Sequence, residues 1–161
     1  LYIREKENCL SKLNGFFAFC VYDKQEQTFF VARDRYGIKP LLYFFDEDKF
    51  LFSSEMKSML RYGIDKELDY TSLQTYLHLN YIPAPHTIFN HVKKLLPGHY
   101  LKVGRKKLEH GQFYSIAAKS EPTSLTYDQA KTELKNLLND SVQRRLVADV
   151  PVGAFLSGGV D

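Results

Sequence analysis

The chain has 161 residues, 44% hydrophobic and 25% charged, a balance that excludes a disordered polymer and suits one ordinary domain or parts of two. The formal net charge is +3, and the basic clusters (Lys93-Lys94, Arg105-Lys106-Lys107, Arg144-Arg145) are short and scattered, which argues for solvated surface and against a nucleic-acid partner. The longest uninterrupted apolar run, Phe16 to Tyr22, has seven residues against the ~20 of a membrane span, so no membrane partner is expected.

The charged segment before Phe16 has no apolar signal-peptide core, and cytoplasm is the expected location. Because the chain starts at Leu1 and stops at Asp161, just after a glycine pair, it is expected to be cut at both ends. Four aromatic-rich runs follow: "FFAFCVY" (16–22), "TFFVAR" (28–33), "LLYFF" (41–45) and "KFLFS" (49–53). Polar turns separate them, and connections this short predict antiparallel strands. Their apolar residues are consecutive rather than alternating, which predicts a sheet covered on both faces. Both covers are expected to come partly from outside this chain. Cys20 lies inside the first run and reads as a core thiol. With Cys9 it makes too small a set for a disulfide framework or a zinc site.

Short helices are predicted at 55–60 and 72–79, the second with Thr71 as N-cap. Pro83 and Pro85 make 81–90 a connector. A turn into a strand is predicted at 96–103, and another strand at 108–114. Small and polar residues make 115–125 the linker. The clearest helix begins after Thr126, which has capping-box spacing to Gln129, and is expected to run to about Asp149. The strand "VPVGAFL" then delivers the chain to Ser157. Helix, strand and glycine loop in that order predict the opening of a parallel α/β domain.

Two motifs carry candidate chemistry. In "SGGVD" (157–161), adjacent glycines after a strand allow backbone N–H groups to converge on an anion, with the Ser157 hydroxyl beside them and Asp161 able to hold Mg²⁺. The same residues also suit a plain Ser-Gly-Gly turn. In "ARDRYGIKPLLY" (32–43), Arg33 and Asp34 end a strand, Gly37 permits a positive φ and Pro40 restarts the chain. This set suits either a pocket wall or a hairpin-like turn. The five histidines show no metal-ligand spacing.

Taken together, "LNGFFAFCVYD", "ARDRYGIKPLLYF", "FSSEMKSML", "LPGHYL" and "DVPVGAFLSGGVD" resemble, in order and spacing, the glutamine-hydrolysing asparagine synthetase family. The resemblance implies an α+β N-terminal part: residues 1–114 as the C-terminal portion of a glutaminase domain, an incomplete α-β-β-α sandwich of the N-terminal-nucleophile hydrolase type. It implies a linker at 115–125, then at 126–161 the first helix and strand of a parallel α/β ATP-binding synthetase domain. The implied activity is glutamine hydrolysis to ammonia and amidation of aspartate through a β-aspartyl-AMP intermediate. ATP and Mg²⁺ are the implied cofactors; glutamine, aspartate and ATP are the small-molecule partners, with a homodimer left open.

By the same resemblance Leu156, Ser157, Gly158, Gly159 and Asp161 bind ATP and its pyrophosphate, Asp161 with Mg²⁺. Arg33, Asp34, Gly37 and Pro40 form a structural turn near a domain interface. No catalytic residue is expected here, because the family's nucleophilic cysteine is its first residue and belongs upstream of Leu1. The 161 residues alone are therefore expected to be inactive. Related enzymes of this type that amidate sugar acids or close β-lactam rings are the alternatives, as is a non-catalytic nucleotide-binding module.

Overall fold

A computed structural model describes residues 1–116, 123–156 and 158. The chain divides into two compact units, Leu1–Ala118 and Lys119–Asp161. Unit one opens with helix α1 (Tyr2–Glu5) and a 3₁₀ segment, Lys6–Lys12. Strands β1 (Ala18–Asp23), β2 (Thr28–Arg33), β3 (Leu42–Phe45) and β4 (Phe50–Ser53) follow within two residues of the predicted bounds. Then come α2 (Met56–Met59), a 3₁₀ turn at Leu60–Tyr62, α3 (Tyr70–Leu79), and β5 (Val92–Lys94), β6 (His99–Gly104) and β7 (Lys107–Gln112).

The strands form two antiparallel sheets, ordered β1-β2-β6-β7 and β4-β3-β5. Strand β2 shows why its run is apolar at consecutive positions. Phe30 and Ala32 pack on one side with Cys9, Leu10 and Tyr2 from the N-terminal helical segment. Val31 points the other way, into a core shared with Leu101 and Val103 of its own sheet and Tyr43, Phe45 and Phe50 of the other. The second sheet turns Leu42, Phe44 and Val92 outward onto Met56 and Met59 of α2. The layers therefore run helix, sheet, sheet, helix, an α+β arrangement. Part of the cover comes from within the chain, by one sheet on the other and by helical segments too short to announce themselves in the sequence, while Tyr22, Phe29 and Phe52 stay exposed on their strands.

Helix α3 is capped by Asp69, not Thr71. The Asp69 carboxylate accepts from the Ser72 N–H at 3.0 Å and from the Ser72 hydroxyl at 2.9 Å. Asp outranks a residue already inside the first turn because its side chain meets an otherwise unpaired donor. Strand β5 lies just past the predicted 81–90 connector, where no element was predicted. Its three residues gain strand geometry only from pairing with β3.

In unit two, α4 (Tyr127–Arg145) carries the predicted capping box: the Thr126 hydroxyl accepts from Gln129 N–H, and the Gln129 side chain accepts from Thr126 N–H. The helix stops four residues short of the predicted Asp149. Residues 150–156, predicted as a strand, carry no regular element. A strand exists by its ladder, and among the described residues none pairs with this segment. No described helix is long and apolar enough to cross a membrane.

Candidate functional site

The predicted Arg33–Asp34 motif becomes a hydrogen-bonded node at the end of β2. Asp34 is 1% exposed, yet its carboxylate is fully engaged. Oδ1 accepts from the N–H groups of Tyr36 (3.1 Å) and Ile38 (3.0 Å); Oδ2 accepts from Lys39 (3.0 Å) and Phe17 (3.3 Å). Burial alone pushes this carboxyl's pKa up, but the four N–H donors together outweigh burial and hold it below the usual value. The Asp34 backbone carbonyl receives Gly37 N–H at 3.1 Å and Gly98 N–H at 2.9 Å, and its own N–H reaches the Phe17 carbonyl at 2.8 Å.

Arg33 completes the node with three donations to backbone carbonyls: Nε to Lys39 at 2.8 Å, one terminal nitrogen to Leu95 at 2.6 Å and the other to Gly37 at 2.6 Å. Burial lowers its pKa, and the Asp34 charge works in the opposite direction. Gly37 has φ +66°, and a Cβ there would lie 2.9 Å from both Arg33 Cζ and Pro97 Cγ. Pro40 is exposed just before β3. Arg33, Asp34 and Gly37 thus join the 34–40 loop to Phe17 and to the 95–98 turn. The planar guanidinium suits this work, since its donors diverge in a fixed fork. Both groups are bonded to backbone partners.

Sequence reading missed Phe17, Leu95 and Gly98 as partners of this node. Only Gly98 left a signal, the Pro-Gly of "LPGHY"; backbone groups of Phe17 and Leu95 leave none.

Of the predicted nucleotide loop, Ser157, Gly159 and Asp161 lie outside the described residues. Gly158 is exposed in a bend, and Leu156 is 95% exposed.

The two cysteines are free thiols. Cys9 is 2% exposed and burial raises its pKa; burial pushes the Cys20 thiol up to about 11. Neither is poised as a thiolate. Iodoacetamide at pH 8 is expected to label both slowly in the native protein and rapidly after denaturation. Fast native labelling of either one, read by mass spectrometry, would contradict this burial.

The family model described as glutamine amidotransferase domain matches residues 1–114, and the model described as asparagine synthase matches residues 133–161. Two asparagine synthetases [glutamine-hydrolyzing] of Bacillus subtilis, numbered 3 and 1, are each 38% identical over 99% of this chain, which covers 26% and 25% of their lengths. Amidase chyE of Penicillium rubens is 35% identical over 94% of the chain and 23% of its own length. The chain spans about a quarter of the length of these curated relatives. A match over residues 1–114 that coincides with a two-sheet unit flanked by helical segments leads to one conclusion: the chain belongs to the glutamine amidotransferase domain family.

Proposed function

We propose that this chain is part of an ATP-dependent, glutamine-hydrolysing asparagine synthetase, an AMP-forming ligase. In this reading residues 1–114 are the C-terminal portion of the glutaminase domain, and residues 126–161 open the synthetase domain. The observation that carries it is the two family matches in series on one chain, supported by 38% identity to proteins named for that activity. Glutamine supplies ammonia, and aspartate is its acceptor. The two free cysteines suit a reducing, cytoplasmic setting.

The donor chemistry of "LSGGVD" fits a nucleotide polyphosphate. The Ser157 hydroxyl and the N–H groups of Gly158 and Gly159 would hold the pyrophosphate portion, with Leu156 beside the nucleotide and the Asp161 carboxylate holding Mg²⁺. ATP supplies the leaving group that a free carboxylate lacks. Arg33, Asp34, Gly37 and Pro40 act as a structural turn, with no part in bond making. The glutaminase nucleophile in this reading is neither Cys9 nor Cys20, and the 161 residues alone are inactive in both half-reactions.

The test is made on the full-length protein with ATP, Mg²⁺, aspartate and glutamine. AMP and pyrophosphate should form only when aspartate is present, with asparagine as product. Ser157→Ala should lower kcat/KM for ATP about 10- to 100-fold, the range of one hydrogen bond to a charged group, and leave glutamine hydrolysis intact. AMP formation that ignores aspartate but responds to another carboxylate would replace this reading with a second one. That second reading has one observation behind it, the 35% identity to a protein named an amidase.

A further inference from the structure

We propose that Asp65, Glu67 and His91 form a binding site for a divalent transition-metal ion of the Zn²⁺ class, clamping together the two ends of the 68–89 segment that contains α3. Imidazole with two carboxylates is a mixed nitrogen and oxygen set, which suits Zn²⁺, Co²⁺ or Mn²⁺ better than Mg²⁺.

The spacing supports the chemistry. The ligating atoms of all three residues lie within 4.8 Å of one another. His91 Nε2 and Glu67 Oε2 are 3.3 Å apart. Two ligands bound at ~2.0–2.2 Å to one tetrahedral ion stand roughly 3.3–3.5 Å apart, so this pair already has coordination spacing. Asp65 needs only a side-chain adjustment to join them. All three are exposed, which gives an ion direct access and leaves the fourth position to water.

The ligands come from two segments 24 residues apart in sequence. Backbone bonds hold those segments side by side: Asp69 N–H to the Ile88 carbonyl at 3.0 Å and Asn90 N–H to the Glu67 carbonyl at 3.1 Å, flanking the Leu68–Phe89 bridge. Little chain entropy remains to be lost when an ion binds. A bound ion would cross-link this neck and suppress opening of everything between its ends.

The experiment titrates Co²⁺, then Zn²⁺ in competition, into chelator-treated full-length protein free of ATP and Mg²⁺, and follows the visible Co²⁺ absorption. The expected result is a Co²⁺ signal lost in His91→Ala, weakened at least about tenfold in Glu67→Gln and unchanged in Lys66→Ala. Amide exchange of α3 should slow with Zn²⁺ in the wild type and not in His91→Ala. Circular dichroism without metal establishes that each variant is folded. A thiolate elsewhere could also take Co²⁺, but its signal would survive in His91→Ala. Identical titrations for wild type and His91→Ala would overturn the proposal and reduce the trio to a surface ion pair. These readouts do not depend on synthetase activity, so this proposal and the functional reading fail separately.

Discussion

Asp34→Ala is expected to cost about 3–5 kcal/mol, a large share of the ~5–15 kcal/mol by which an ordinary domain is stable. The reason is arithmetic on donors. Four backbone N–H groups, those of Phe17, Tyr36, Ile38 and Lys39, meet this one buried carboxylate. Alanine leaves them without an acceptor, and each orphaned buried donor costs about 1–3 kcal/mol before the loop relaxes toward water. Amide exchange at Tyr36, Ile38 and Lys39 should accelerate first, ahead of the drop in melting temperature.

Asp34→Asn separates charge from shape. The amide keeps one acceptor oxygen but turns an NH₂ toward two of the donors, so it too should destabilise. The folded-state pKa of Asp34 lies below its ordinary value. Its charge therefore contributes stability above the unfolded pKa of about 3.9, and that contribution is lost as pH falls through the folded value. The stability gap between wild type and Asp34→Asn should be widest near neutrality and narrow below about pH 4. A gap independent of pH would mean that the carboxylate charge contributes nothing.

Gly98→Ala is the second large effect. Gly98 has φ +70°, and an added Cβ would stand 2.4 Å from the Tyr114 carbonyl oxygen, a backbone atom that has no rotamer to escape into. Left-handed backbone alone costs about 1 kcal/mol for a non-glycine residue. The displacement adds to this, because Gly98 N–H bonds the Asp34 carbonyl while the Gly98 carbonyl accepts from Phe113 and Tyr114. A total above about 3 kcal/mol is expected.

Gly63→Ala is the matched control. Its φ is +66°, but nothing lies within 4 Å of the added Cβ, so only the conformational cost of about 1 kcal/mol should appear. Equal losses at the two glycines, measured by denaturant unfolding of the full-length protein, would refute the clash.

The four N-terminal strands were legible because each is a run of aromatic and β-branched residues between turns built on Asp. Asp23 and Asp46 hold those turns by accepting from N–H groups two and three residues ahead. The capping box of α4 was legible for the same local reason. Strand β5 was not, since three residues carry no period of their own. Residues 150–156 show the converse: an apolar, strand-like sequence carries no regular element, and among the described residues no strand pairs with it.

From its own residues "SGGVD" left two readings standing, an anion-binding loop and a plain Ser-Gly-Gly turn, and the resemblance to the family's loop favoured the first. The "ARDRYG" motif left two readings standing in the sequence, a pocket wall and a turn. Its meaning depends on partners far along the chain, among them the Leu95 carbonyl and the Gly98 N–H.

By itself, then, the sequence determined local strand and helix preference and the family resemblance, properties of neighbouring residues and their spacing. Only the tertiary structure decided which face of β2 meets the second sheet, that short helical segments pack on the outer faces, and that Asp34 is buried among four donors. Those outcomes depend on contacts between residues distant in sequence, where burial and hydrogen-bond satisfaction are settled together and no local pattern records them.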